Sequence, residues 1–209
     1  MPSVNSDEDV PSPIDLRNLA EARAWVSDTV ARRLSRPRFF EAFVTALNDH
    51  FIRPFSIVEL GSGPGHLAAR VLGSCQVSSY VAMDFSDAMH LLAMEHLGEA
   101  ANRVRFLTAD FRDDWPITIG SADAVITMQA VHEVRHKRHQ PTLLAKMYRA
   151  LAPGGLLLFC DHYWEHGSSK HPDLYFEKAE LPIRLAEAGF SRLRLLLDEG
   201  GMLLYSGLP

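Results

Sequence analysis

The most constraining stretch of this 209-residue chain runs from Ser56 to Ala68. Ile57, Val58 and Leu60 are β-branched or apolar and suit a buried parallel strand. Gly61, Gly63 and Gly65 follow at alternate positions, so the backbone can turn sharply and approach a ligand with no Cβ in the way. Pro64 suits the first turn of a helix, and Leu67, Ala68, Val71 and Leu72 give that helix one apolar stripe. A strand, a glycine turn and a helix start in this order make a site for an anionic or nucleotide-like ligand, because the helix opens with N–H groups that lack intrahelical partners.

The remainder of the chain alternates in the same way. Tyr80 to Asp84, Val104 to Asp110, Ala122 to Met128 and Leu156 to Cys160 read as strands. Ser86 caps the helix carrying Met89, Leu92, Ala93 and Leu97, and the helix carrying Leu144, Met147 and Leu151 ends at Pro153 and Gly154. Alternating strands and helices indicate a parallel sheet covered on both faces. Ala179 to Ala188 is expected to be helical, with Pro182 marking a restart or kink. Leu193 to Leu197 and Met202 to Tyr205, joined across Gly200 and Gly201, read as an antiparallel hairpin.

Before the first strand lie two helical patterns, one from Ile14 to near Leu34 and one with Phe40, Phe43, Val44, Leu47 and Phe51 on a stripe. Residues 1–13 read as a flexible leader, 14–54 as a helical cap and 55–209 as the main domain. Core packing explains the aromatic stripe. A lid over the ligand, with Arg17, Trp25, Arg36 or Phe39 facing it, is the functional alternative.

Spacing separates this glycine turn from the dinucleotide fingerprint, which needs G-x-G-x-x-G. Glu59 stands just before the first glycine, and Asp84 follows the last by the roughly 20 residues at which a ribose-binding carboxylate closes the next strand. Together these residues resemble motif I and the acidic loop of the class I S-adenosylmethionine-dependent methyltransferases, and the strand order from Phe55 to Pro209 continues the resemblance. It implies an α/β fold: a three-layer Rossmann-like sheet of seven strands in the order 3-2-1-4-5-7-6. Strand 7 would be antiparallel, with helices on both faces and two extra N-terminal helices.

The resemblance also implies roles. Gly61, Ser62, Gly63 and Gly65 would take the methionine end of S-adenosylmethionine, with Glu59 shaping the loop and reaching the amino group. Asp84 would accept from both ribose hydroxyls, Phe85 would pack on the adenine, and Asp110 and the Phe111 N–H would bond its edge. Met128 and Gln129 would offer backbone near the methionine amino group.

Catalytic candidates fall in the loops after strands four and five, which hold His132, His136, His139, His162, His166 and His171, six of the chain's ten histidines. Histidine titrates near neutral pH and suits proton removal. His132 and His162 come first, with Glu133, Asp161 and Tyr163 as orienting neighbours. Trp25, Tyr163, Trp164 and Tyr175 are candidate walls for a small, partly apolar acceptor.

His132, Glu133 and His136 also match H-E-x-x-H, a zinc signature that works only on a helix. Here the segment follows a strand, carries Arg135, Lys137 and Arg138, and meets Pro141, so no metal is expected. A zinc hydrolase and a catalytically silent binding or regulatory protein of the same fold are the alternatives.

Net charge of −5 argues against a broad nucleic-acid face, and no apolar run approaches the ~20 residues of a membrane span. Cys75 and Cys160 lack metal spacing, and acids in Met1 to Asp9 do not suit a signal peptide, so a cytoplasmic setting is expected. The reading is a methyltransferase moving a methyl group to O, N or C of a small molecule, as monomer or homodimer.

Overall fold

The structure is a computed structural model that describes residues 8–32, 35–168 and 170–209. Seven strands form one sheet in the order β3-β2-β1-β4-β5-β7-β6: β1 Phe55–Leu60, β2 Val77–Asp84, β3 Val104–Thr108, β4 Ala122–Met128, β5 Leu151–His162, β6 Ser191–Glu199 and β7 Met202–Leu208. β1 to β5 pair in parallel, and β7 runs antiparallel between β5 and β6. This is the expected sheet, strand for strand. Helices α1 Leu19–Arg32, α2 Arg36–His50, α3 His66–Ser74, α4 Asp87–Leu97, α5 Gln140–Ala150 and α6 Glu180–Glu187 complete it.

Strand periodicity divides the core in two. Val58, Leu60, Val125, Leu157 and Phe159 face α5 and α6, where Leu144, Met147 and Leu185 are buried. Their neighbours Ile57, Ala124, Ile126 and Leu158 face the other way, onto Phe39, Phe43 and Leu47 of α2 and Val71 of α3. The aromatic stripe of α2 is therefore core, and Phe39, a candidate for the ligand site, is fully buried in it.

Three local expectations are corrected. α1 begins at Leu19, not Ile14, because Asn18 Oδ1 accepts the N–H groups of Ala20 and Glu21 and caps the helix there. Its expected end near Leu34 lies outside the described residues. β5 starts at Leu151, and its pairing with β4 shifts register between Ala122 and Ala124, so Pro153 and Gly154 form a bulge inside the strand. Pro182 neither kinks nor restarts α6: it is the third residue of that helix, where a missing N–H costs no hydrogen bond.

The amino ends of β1 and β4 are locked together by Asp123, whose carboxylate accepts the Ser56 N–H and Oγ–H at 2.8 and 2.9 Å and an Arg53 N–H at 2.8 Å. Replacing Asp123 with Ala strands the Ser56 donor. We expect a loss of about 2 kcal/mol, measured as a lower urea midpoint at unchanged slope; unchanged stability would remove this lock.

Candidate active site

The carboxyl ends of β1, β2 and β4 open into a cavity of about 260 Å³, continuous in its lining with a second of about 300 Å³. Open parallel sheets bind ligands at this edge because the loops diverge there. After β1 the chain turns through Gly61 (φ 64°), Gly63 (φ 52°) and Gly65 (φ 78°), all in the left-handed region. The Gly61 and Ser62 N–H groups donate to the Met83 carbonyl at 2.8 and 3.1 Å, and the Gly63 N–H donates to Asp84 Oδ2 at 2.8 Å. A Cβ on Gly61 would lie 2.1 Å from that of Ala130, whereas one on Gly63 would meet only open space. A Cβ on Gly65 would lie 3.2 Å from that of Ala93, so this glycine also lets α3 approach α4.

Glu59, at the end of β1, is 2% exposed and accepts the Tyr80 hydroxyl at 2.6 Å. Burial, opposed by that bond and reinforced by Asp84, pushes its carboxyl up to about 8. Beside it the Ser62 hydroxyl is buried without a partner. Glu59, Ser62, Gly63 and Met128 line a narrow extension of the site with Arg36 and Gln129. Asp84 also accepts the Ser86 N–H at 3.0 Å, and burial raises its carboxyl to about 6 in spite of these donors.

Phe85, Asp110 and Phe111 line the second cavity. Asp110 is held bidentately by Arg112 at 3.0 and 2.8 Å. Lys146 of α5 fixes the same loop by donating to the carbonyls of Phe111, Arg112 and Asp113. That clamp was not legible in the sequence, since Lys146 lies more than thirty positions downstream.

The far wall carries His132 and Glu133. Asp161 at the end of β5 is 4% exposed. It accepts the His132 ring N–H at 2.8 Å, the His132 backbone N–H at 3.1 Å and the His162 backbone N–H at 2.7 Å. Glu133 lies 3.3 Å from the other His132 ring nitrogen and 3.0 Å from Arg135. Burial alone would lower the His132 pKa, but Asp161 and Glu133 override it and raise the ring to about 9. His132 is thus no base at neutral pH.

His162, expected beside it as a base, does not line either cavity. Its ring is wedged between the Gly201 carbonyl (3.1 Å) and the Gln129 amide (2.9 Å), and burial drives its pKa down to about 4. Gln129 bridges His162 to Arg36, which donates at 2.9 Å, and the strained φ of 56° at Gln129 holds the amide between them.

Of the expected walls, Trp25 and Tyr175 line the cavity, and Tyr163 and Trp164 do not. Tyr163 packs with Lys170 and Lys178, and Trp164 bridges to Glu177. The H-E-x-x-H segment forms a short 3₁₀ turn, Val131–Val134, ended by Arg135 at φ 66°. The helical turn that would align His132 with His136 is absent, and among the described residues no group of three or more His, Cys, Asp or Glu side chains is arranged as a metal site.

The remaining wall comes from residues assigned to the leader and the first helix. From residue 8 the chain crosses the cavity mouth, with Ser12, Pro13, Ile14 and Leu16 lining it. Asp9 pairs with Arg138 and His139 at 2.8 Å. Val10 and Arg135 exchange two bonds of 2.8 Å, Arg135 also donates to the Pro11 carbonyl, and Arg17 stacks over Phe85 at 4.6 Å. Arg135 therefore links this strap to Glu133.

A glycine turn pinned to β2, a buried acid before it and a carboxylate closing β2 are paired with known proteins by comparison. A family model described as "Methyltransferase domain" matches residues 57–155. The match covers just under half of the chain. The chain is 28% identical over 144 residues to the ubiquinone/menaquinone biosynthesis C-methyltransferase UbiE of Methylobacterium nodulans, spanning 68% of this chain and only 55% of that relative. A chain from the complex between the Haloferax volcanii Trm112 methyltransferase activator and a methyltransferase superposes at TM-score 0.70 with 19% identity, covering 90% of this chain and 97% of that one. A SAM-dependent methyltransferase from Aquifex aeolicus superposes at 0.68 with 16% identity, covering 91% and 98%. These two likenesses concern the fold alone. Among the described residues no helix is long and apolar enough to cross a membrane.

The raised pKa of His132 carries a sign. Its protonated form is favoured by folding, so its stabilisation is complete below the ordinary value of 6.5 and is lost as pH rises through about 9. The melting temperature is expected to fall across that window, and more steeply than in a His132→Gln variant; parallel curves would show that His132 is not charged in the native protein.

Proposed function

We propose that this chain is an S-adenosylmethionine-dependent methyltransferase acting on a small molecule. The observation that carries the reading is the unpartnered Ser62 hydroxyl beside buried Glu59 and the open face of Gly63, one strand away from Asp84. A polar atom left unsatisfied in a buried cradle suits a ligand that supplies its partner. Glu59, Ser62 and Gly63 would hold the methionine end, Asp84 the ribose, and Phe85, Asp110 and Phe111 the adenine. When bound, S-adenosylmethionine supplies an electrophilic methyl carbon on a sulfonium sulfur. The strap lines the mouth of the cavity through Ser12 to Leu16, and Trp25, Leu174 and Tyr175 give the acceptor apolar walls. The C-methyltransferase relative supports a small-molecule acceptor. The free Cys75 and Cys160 fit a cytoplasmic setting.

Calorimetric titration with S-adenosylmethionine and with S-adenosylhomocysteine tests this directly, with micromolar binding of both expected. Replacing Asp84 with Ala is expected to weaken both by about tenfold, the scale of one charge-assisted hydrogen bond; full affinity in a folded variant would displace the ribose. Glu59 is protonated at pH 7 without ligand, and an ammonium beside it favours the carboxylate. Binding at pH 7 is therefore expected to release a proton, seen as a buffer-dependent enthalpy that disappears in Glu59→Gln. An enthalpy independent of buffer would separate Glu59 from the amino group.

A further inference from the structure

The neighbours of the two histidines fix their protonation. His132 has Nδ1 2.8 Å from Asp161 Oδ1 and Nε2 3.3 Å from Glu133 Oε1. Carboxylate oxygens only accept, so Nδ1 donates to Asp161, and a second carboxylate 3.3 Å from Nε2 favours a proton there as well, an imidazolium between two acids. At His162, Nδ1 donates to the Gly201 carbonyl. Its Nε2 faces Gln129, whose amide orientation is decided by Arg36: arginine only donates, so Gln129 Oε1 turns to Arg36 and its NH₂ donates to His162. The lone pair of the neutral histidine is thus engaged away from the cavity.

The other groups around His132 point the same way. Asp161 is filled by three N–H donors, and Glu133 is shared between His132 and Arg135. The Tyr175 ring lies 5.1 Å from that of His132. Asp84 is occupied by the Gly63 and Ser86 N–H groups. Two cations, His132 and Arg135, thus face the cavity between carboxylates already in use. An alkylammonium acceptor would find the nearby carboxylates already engaged, Asp161 and Glu133 by the two cations and Asp84 by backbone N–H groups. An acceptor that reacts as an anion would be stabilised by the same charge in a site of low dielectric.

We propose that the acceptor is an oxygen acid, a phenol or enol, that reacts as its oxyanion held by the His132 Nε2–H, which exchanges its long contact to Glu133 for the acceptor oxygen. The proposal rests on the methyltransferase reading. On binding, the hydroxyl proton leaves to solvent. The bond from the acceptor oxygen, or from the carbon conjugated with it, to the methyl carbon then forms as the methyl–sulfur bond breaks, the electron pair going to sulfur. On the carbon route the C–H proton is lost to water and restores the conjugated system. Trp25, Leu174 and Tyr175 suit a flat, apolar molecule bearing that one acidic oxygen.

The test uses 4-nitrophenol as the probe and the full chain saturated with S-adenosylhomocysteine, following the phenolate absorbance against pH. The bound probe is expected to ionise at least one pH unit below the free one, about a tenfold gain in the ionised fraction at a given pH. His132→Asn should return it to the free value, with homocysteine-cofactor titration as the control for folding. Nitrogen NMR of the wild-type ring, which needs no variant, should show two protonated nitrogens on His132 at pH 7. A probe that binds as the neutral phenol, a probe that does not bind, or a singly protonated His132 overturns the proposal. Failure to bind S-adenosylhomocysteine removes the methyltransferase reading and this inference together, whereas cofactor binding with an unshifted probe removes the inference alone.

Discussion

The attachment of the glycine turn to the end of β2 is the constraint from which the site follows. Two N–H groups of the turn share the Met83 carbonyl, and a third uses one oxygen of Asp84. A turn held only by its own glycines would have many conformations, because glycine is permissive. Tied to the neighbouring strand it has one, with Gly63 open to the cavity and Gly61 pressed on Ala130. The other oxygen of Asp84 takes the Ser86 N–H, Glu59 stays buried beneath the turn, and α3 begins directly after it.

A second set of charges works across the cavity. Asp161 gathers the loop after β4 and the end of β5 onto one carboxylate, and His132, Glu133 and Arg135 extend that contact outward to the carbonyls of Val10 and Pro11. The chain of contacts alternates in sign from Asp161 to Arg135, which is how four charged groups tolerate partial burial. It also makes the strap part of the site's electrostatics. Arg135 is held by Glu133 on one side and by backbone on the other, so the mouth of the cavity and the His132 ring share one support.

Much of the fold was legible because its signals are local and repeated. The central strands β1, β4 and β5 carry apolar residues on both faces, β2 and β3 end near Asp84 and Asp110, and the Gly200–Gly201 turn announces the hairpin. Asp84 and Asp110 were readable from their places at strand ends. The errors were equally physical. Asn18 caps α1, and apolar periodicity, which carries no capping signal, extends the helix into the strap. Tyr163 and Trp164 follow β5 directly, but sequence cannot tell which side of a loop an aromatic ring leaves from. His162 looked equivalent to His132, and the difference lies largely in partners distant along the chain, Asp161 for His132 and Gln129 and Gly201 for His162.

By itself, then, the sequence determined the succession of strands and helices along the chain, the glycine turn and the acids at its edges, while the order of strands in the sheet followed from the family resemblance. Those properties depend on periodicity and on residues a few positions apart. The tertiary structure alone decided which histidine is a cation, which is neutral, that residues 8–17 cover the cavity and that Gln129 joins Arg36 to His162. Protonation and closure depend on which distant groups come within hydrogen-bonding distance, and that is fixed only when β1, β4 and β5 lie side by side.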